Sequence, residues 1–420
     1  MIRSCIFFIV IALITLGLTA QSEDILHEIG THAIPVKTID QTDFSFLDQI
    51  AAEHRIIGYG EANHGTADFT ELAEAMILYL NEKHAYRHFV IEAGVGEVAY
   101  LEDWLRSNWP VDSLTSILQQ RISTWRYRTT EFIDLMVSLR TYNLAHPAKS
   151  IQLYGCEMQW VKPEYDRLYA YLHKFGLAGD LPPESFNQHL WQHIDLDLLA
   201  EYSALYWRLR KLLLAQKELL TAKGGETAYQ DADRNLRVIG QFITTLGVEG
   251  EQHKHDLRDQ YMFENVRWIE LALKGEEKIF VWTHNAHVMD GFGNGGYVNT
   301  LGHHLRRMYR EKYYALGTDY GPGKYVALNP ETYARDINEA PKPAANQITY
   351  YLMQLGIPNA FLDFKSLRQN LPELYRLNLP VTANVGAIAI SNPKAKDQAT
   401  GRIFDGLIYL ANTQPIQMVE

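Results

Sequence analysis

The chain has 420 residues, 47% of them hydrophobic and 21% charged, a balance that supports a full buried core and excludes a disordered protein. Its formal charge of −11, with no basic run long enough to override it, makes nucleic acid a poor partner and suits a neutral or cationic small molecule better.

Residues 1–20 read as a secretory signal peptide: Arg3 gives a charged start, Cys5 to Leu18 an apolar run, and Ala20 a small residue before Gln21. The run is short for a membrane span of about 20 residues. The expectation is therefore cleavage after Ala20, a mature chain 21–420 of formal charge −12 with no stable membrane span, and a secreted or periplasmic location. Cys5 leaves with this segment, so the remaining Cys156 has no intramolecular partner and reads as a buried, inert thiol.

Short apolar runs follow at Arg55–Tyr59, His88–Ala93, Ser150–Tyr154, Lys278–Thr283 and Tyr313–Gly317. Without clean alternation they suit strands covered on both faces, and helical periodicity lies between them at Phe69–Glu82 and Glu131–Asn143, which predicts an α/β fold with a mainly parallel sheet and flanking helices. Two later runs, Gly386–Ile390 and Phe404–Leu410, are candidates to extend the sheet. From about 163 to 274 the pattern changes to long helical stretches such as Leu196–Leu220 and Tyr229–Leu246. This segment is expected to be an insertion within one domain, covering the carboxyl ends of the strands where α/β folds bind ligands.

Three runs end in residues that can do chemistry. The first continues into Gly58-Tyr59-Gly60-Glu61-Ala62-Asn63-His64-Gly65, with Thr66 or Asp68 available to cap the next helix; the second carries Glu92 at its tip; the third ends in Thr283-His284-Asn285-Ala286-His287. A lone His or Glu at a strand end more often satisfies a hydrogen bond or caps a helix. If the three strands are neighbours, however, Glu61, His64, Glu92, His284 and His287 meet at one rim, which is the inventory of a reaction centre.

Other motifs are absent or poorly placed. There is no Gly-x-Ser-x-Gly elbow, and His27-Glu28 is followed by His32, which misses the one-face helical spacing of a zincin. The stretch Gly291–Gly296 formally satisfies a dinucleotide pattern but starts too far after Thr283 for the tight phosphate turn, and reads as a loop beside His287. Arg258, on a helical stretch, is placed to reach a substrate oxygen or a carboxylate, or else to pair with Asp259 or Glu264. Trp125-Arg126-Tyr127 has the same two readings, with core or rim packing preferred.

Taken together, "GYGEANHG", "FVIEAG" and "VWTHNAHV", supported by "LRDQYMFENVRW" and "LGHHLRRMYREKYYALG", resemble the erythromycin esterase family in order across roughly 56 to 323. The resemblance implies a hydrolase with an α/β core and helical cover that opens a macrolide lactone by water attack, without a covalent serine intermediate. It implies that the essential histidine is His64, its acidic partner Glu61, the second strand-end acid Glu92, and the later histidines His284 and His287. Ala73 stands where the family pattern has an arginine, and Asn63 where it usually has Thr or Ser. These departures make an ester or lactone in general a firmer expectation than erythromycin.

The side chains support such chemistry in their own right. A neutral imidazole, of ordinary pKa ~6.5, can take a proton from water, and a neighbouring carboxylate fixes its tautomer. His64 is the expected base, with Glu61 or Glu92 orienting it, and His284, His287 or the Asn285 amide are candidate donors to the oxyanion. No cofactor is expected. The alternatives are a divalent-metal hydrolase using the same histidines and a glutamate, and an exported protein that binds a small molecule without turnover.

Overall fold

The structure, a computed structural model, describes residues 23–37, 43–291, 299–340, 342–343, 347–370, 386–389 and 400–419. The 1–20 segment, residues 292–298 of the glycine-rich loop and Ile390 lie outside the described residues.

The described residues form ten strands: β1 (Ile34–Pro35), β2 (Ile56–Glu61), β3 (Tyr86–Gly94), β4 (Gln152–Glu157), β5 (Lys278–His284), β6 (Tyr313–Tyr320), β7 (Lys324–Leu328), β8 (Arg335–Glu339), β9 (Asn359–Asp363) and β10 (Gly406–Leu410). Eight build one sheet in the order β1-β9-β10-β6-β2-β5-β3-β4, and β7 and β8 pair separately. From β10 to β4 every pairing is parallel, while β9 meets β1 and β10 antiparallel. This is the expected α/β fold. Gly386–Ala389 does not extend the sheet: it makes single bridges to Asn63 and Leu328, beyond the end of β2 and on β7.

The near-continuous apolar strands follow from burial on both faces. Ile57, Tyr59, Phe280 and Trp282 point into one core with the helices Ala67–His84 and Thr130–Ala145. The alternate residues Ile56, Ile279 and Val281 point into a second core with Val266, Ile269 and Leu305. Ala73 is fully buried in the first core, among Phe69, Leu72 and Met76.

The helices Lys162–Lys174, Leu196–Ala215, Lys217–Gly224 and Glu226–Leu246 share a third apolar cluster built on Tyr165, Phe186, Leu209, Leu236 and Phe242. The expected helix 196–220 breaks at Gln216. The next helix, Glu251–Glu270, packs on β4 and returns the chain to the sheet. Among the described residues, no helix is long and apolar enough to cross a membrane.

Candidate active site

The sheet order places β5 between β2 and β3, with β4 outside β3. The chain runs outward through β2, β3 and β4 and then returns to insert β5, so the carboxyl ends of four parallel strands converge at a point where the connections reverse. In register, Glu61 of β2 lies opposite His284 of β5, and Ile91, one residue before Glu92, lies opposite Trp282.

Two glycines fix the shape of the loop after β2. A Cβ on Gly60 would come within 2.5 Å of Asn285 Oδ1, and one on Gly65 within 1.7 Å of the Val326 carbonyl. Glycine is required there because neighbouring chain segments approach, not because a ligand does. Asn63 Oδ1 accepts from Gly65 N–H and Thr66 Oγ1, both at 2.9 Å, which turns the chain tightly into the helix Ala67–His84. Neither candidate cap acts as expected: Thr66 makes no side-chain cap bond, and the Asp68 carboxylate accepts from Gln414 N–H at 2.7 Å.

The segment 414–419 straps this loop to the turn that bears Arg126. Ala67 N–H donates to the Gln414 carbonyl and Ile416 N–H to the Gly65 carbonyl, while Thr130 N–H donates to Gln417 and Val419 N–H to Arg128.

At the end of β2, His64 Nδ1 lies 2.5 Å from Glu61 Oε1. Nδ1 also lies 2.8 Å from Arg126 Nη1, so it donates to Glu61 when it carries the proton and accepts from Arg126 when it does not. In the first tautomer the lone pair is on Nε2, which has no hydrogen-bond partner among the described residues. The second Glu61 oxygen accepts from Trp282 Nε1 at 2.8 Å. Arg126 Nη1 bonds to Glu61 Oε1 and lies 3.5 Å from Glu92, with its guanidinium over the rings of Tyr127 and Trp282.

A second set of charges lies deeper. Glu92 accepts from His284 N–H at 2.8 Å and from Arg258 Nη2 at 3.0 Å. Arg258 also donates through Nε to Glu157 at 2.5 Å, so this fully enclosed guanidinium joins the ends of β3 and β4. His287 Nδ1 donates to Asp259 at 2.8 Å, and its Nε2 stands 3.4 Å from Glu92.

The environments set the protonation states apart. Burial opposes ionisation of Glu92, but the charges of His287 and Arg126 outweigh it and hold the carboxyl well below its usual range. Burial likewise pulls His287 down, yet Asp259 and Glu92 overcome both this and the like charge of Arg258 and raise the ring to about 9. His287 is thus an imidazolium at neutral pH. His284 goes the other way: burial first, then the nearby His64, keeps it well below an ordinary histidine. As a neutral ring it donates Nε2–H to the Ala62 carbonyl at 3.3 Å and accepts at Nδ1 from Ala286 N–H.

All five residues expected at the rim therefore come together, with the rings of His64 and His284 5.1 Å apart. The two candidate binding residues are otherwise engaged. Asn285 uses its amide as donor and acceptor with the backbone of Thr318, pinning β5 to β6, and Arg258 is held by carboxylates. Cys156 is buried with its thiol pushed up by desolvation. Among the described residues, no three or more His, Cys, Asp or Glu side chains are grouped so as to hold a metal ion.

Two participants were missed by the sequence reading, Glu157 and Trp282, and two that it named, Arg126 and Asp259, were not assigned to the site. Glu157 bore the strand-end signature used for Glu61 and Glu92, but the run was ended at Tyr154, before the small residues Gly155 and Cys156. Arg126 lies on a single 3-10 turn, Trp125–Tyr127, and has no periodic signature.

The site is a paired imidazole and carboxylate at the central strand end of a parallel α/β sheet. The erythromycin esterase profile matches residues 81–413, and the chain belongs to that family, which places it among hydrolases. It is 22% identical over 372 residues to erythromycin esterase type II of Escherichia coli, covering 79% of this chain and 86% of that one. In fold it is similar to a Bacillus cereus protein (TM-score 0.80, 22% identity, 95% and 99% of the two chains). It is also similar to a mutant of the erythromycin esterase EreC in its open conformation (TM-score 0.65, 16% identity, 91% and 98%).

Proposed function

We propose that the protein hydrolyses a carboxylic ester or lactone by attack of a water molecule deprotonated at His64. The observation that carries this reading is the Glu61–His64 pair: Nδ1 is bound to a carboxylate while Nε2 is unengaged, and the side chain is 11% exposed where its partner is 4%. A ring so held has one basic atom and one orientation.

In the first step Nε2 takes a proton from water as the oxygen adds to the acyl carbon, giving a tetrahedral oxyanion and an imidazolium. In the second, the C–O bond to the alcohol breaks and the imidazolium returns the proton to the leaving oxygen. The products are a carboxylic acid and an alcohol, or a hydroxy acid when a lactone opens. No serine is needed.

Glu61, Glu92, Glu157 and Asp259 face Arg126, Arg258 and protonated His287, so the cluster holds four carboxylates against three cations. Arg126 keeps Glu61 and Glu92 apart as two like charges on either side of one guanidinium.

The E. coli relative named as an erythromycin esterase supports macrolide lactones as one substrate class to test, alongside simple lactones and aryl esters. The apolar 1–20 segment supports action outside the cytoplasm. Purified chain should turn over at least one member of such a panel; a folded protein that hydrolyses none of them overturns the reading.

A further inference from the structure

A second cleft lies away from the cluster just described, alongside the open edge of β4. It has a volume of about 430 Å³, within the range of small-molecule sites. Its walls come from β4, the helices Val95–Arg106 and Glu226–Leu246, and the later turns of Glu251–Glu270. Val95, Leu153 and Tyr154 give it an apolar side.

Its charges are unevenly matched. Arg106 pairs with Glu102 at 2.5 Å, and Arg167 with Asp103 at 2.7 Å. Glu102 also caps the free Leu153 N–H on the β4 edge, so that side chain is fully committed. Arg234 has no ion pair among the described residues. Its guanidinium lies 4.0 Å from the centre of the Trp268 ring, makes one long bond of 3.4 Å to the Gly155 carbonyl, and has its Nε shut away from water without a partner. Asp231, exposed at the lip, stays beyond ion-pair distance. Burial with so little compensation pulls the guanidinium down to about 10.

An arginine held flat on an indole, with most of its donors unspent, is preorganised for a planar two-oxygen acceptor. The other charges limit what that acceptor can be. Three arginines and three carboxylates line the cleft and sum to zero, but Arg106 and Arg167 are each held by a carboxylate; Arg234 is the guanidinium left to meet one negative charge, while Asp231 and the paired acids repel a second. We propose that this cleft is a second binding site, for a small organic monocarboxylate whose head pairs with Arg234 and whose apolar body lies along Val95, Leu153 and Tyr154.

The probe is phenylacetate, titrated calorimetrically into the full chain, with neutral phenylacetamide and inorganic phosphate as comparisons. Saturable binding of phenylacetate is expected at millimolar concentration, with none of phenylacetamide and weaker binding of phosphate. Arg234→Gln should weaken it at least roughly tenfold. Ala99→Trp, which fills the cleft from a partly exposed helix position and leaves Arg234 in place, should do the same. Phenylacetate binding that survives both substitutions belongs elsewhere and overturns the proposal, as does the absence of saturable binding to the unaltered chain. Phosphate binding as tightly as phenylacetate overturns the monoanion assignment.

Discussion

His64 and His287 follow the ends of the neighbouring strands β2 and β5, each with a carboxylate on Nδ1, yet their surroundings differ. His64 leaves Nε2 unengaged. His287 has carboxylates at both nitrogens, Asp259 at 2.8 Å and Glu92 at 3.4 Å, and stays charged through neutral pH. On the proposed mechanism, residue type and strand position do not suffice for a base; an unengaged nitrogen is also needed. His287, with Arg258, is better read as part of a charged keystone that locks the strand ends together.

The sharpest way to break this contrast is His64→Gln. Turnover should fall by ~10²–10⁴, the usual contribution of a general base, while the far-ultraviolet spectrum and melting curve stay close to those of the parent. A folded variant with near-parental turnover would reduce the Glu61–His64 pair to a structural turn.

Arg258→Met attacks the inner half. It leaves Glu92 and Glu157 buried without their shared cation, and should cost about 3–5 kcal/mol in urea unfolding. Unchanged stability with lost turnover would instead give Arg258 a direct role on substrate. Trp282→Phe is milder: it removes one donor to the Glu61 carboxylate, with an expected cost of about 1.5–3 kcal/mol and a smaller loss of turnover than His64→Gln.

The smallest effect is one of curve shape. The His287 ring is raised in the fold above its unfolded value of 6.5 to about 9, so the stability it contributes is complete below about 6.5 and is lost as pH rises through about 9. His287→Asn should flatten this alkaline arm in melts collected between those limits. A parental slope in the variant would mean that the ring is neutral and accepts from Arg258, whose Nη1 is 3.0 Å from Nε2.

Much of this arrangement was legible in the sequence, and for a definite reason. Parallel strands covered on both faces leave unbroken apolar runs, so the polar residue that ends each run is conspicuous, and Glu61, Glu92 and His284 announce themselves. What the pattern could not convey is pairing. That β5 inserts between β2 and β3 depends on packing across more than 200 residues of chain, and the cations that compensate the strand-end acids come from a 3-10 turn and a helix in which arginine is an ordinary surface residue. Gly60 and Gly65 are opaque for a similar reason: they make room for Asn285 and Val326, distant in sequence and invisible until the fold is known.

The strap formed by 414–419 gives the protein a temporal order. The loop bearing His64 is complete only when Gln414 and Ile416 lie against Ala67 and Gly65, and those residues are translated about 350 positions after His64; at about 5–20 residues per second that is a delay of roughly 20 to 70 s. For that interval a nascent chain holds His64 without the strap against its loop. On the proposed mechanism, competence should therefore arrive late and abruptly, with the docking of residues 414–419, and not grow in step with the sheet.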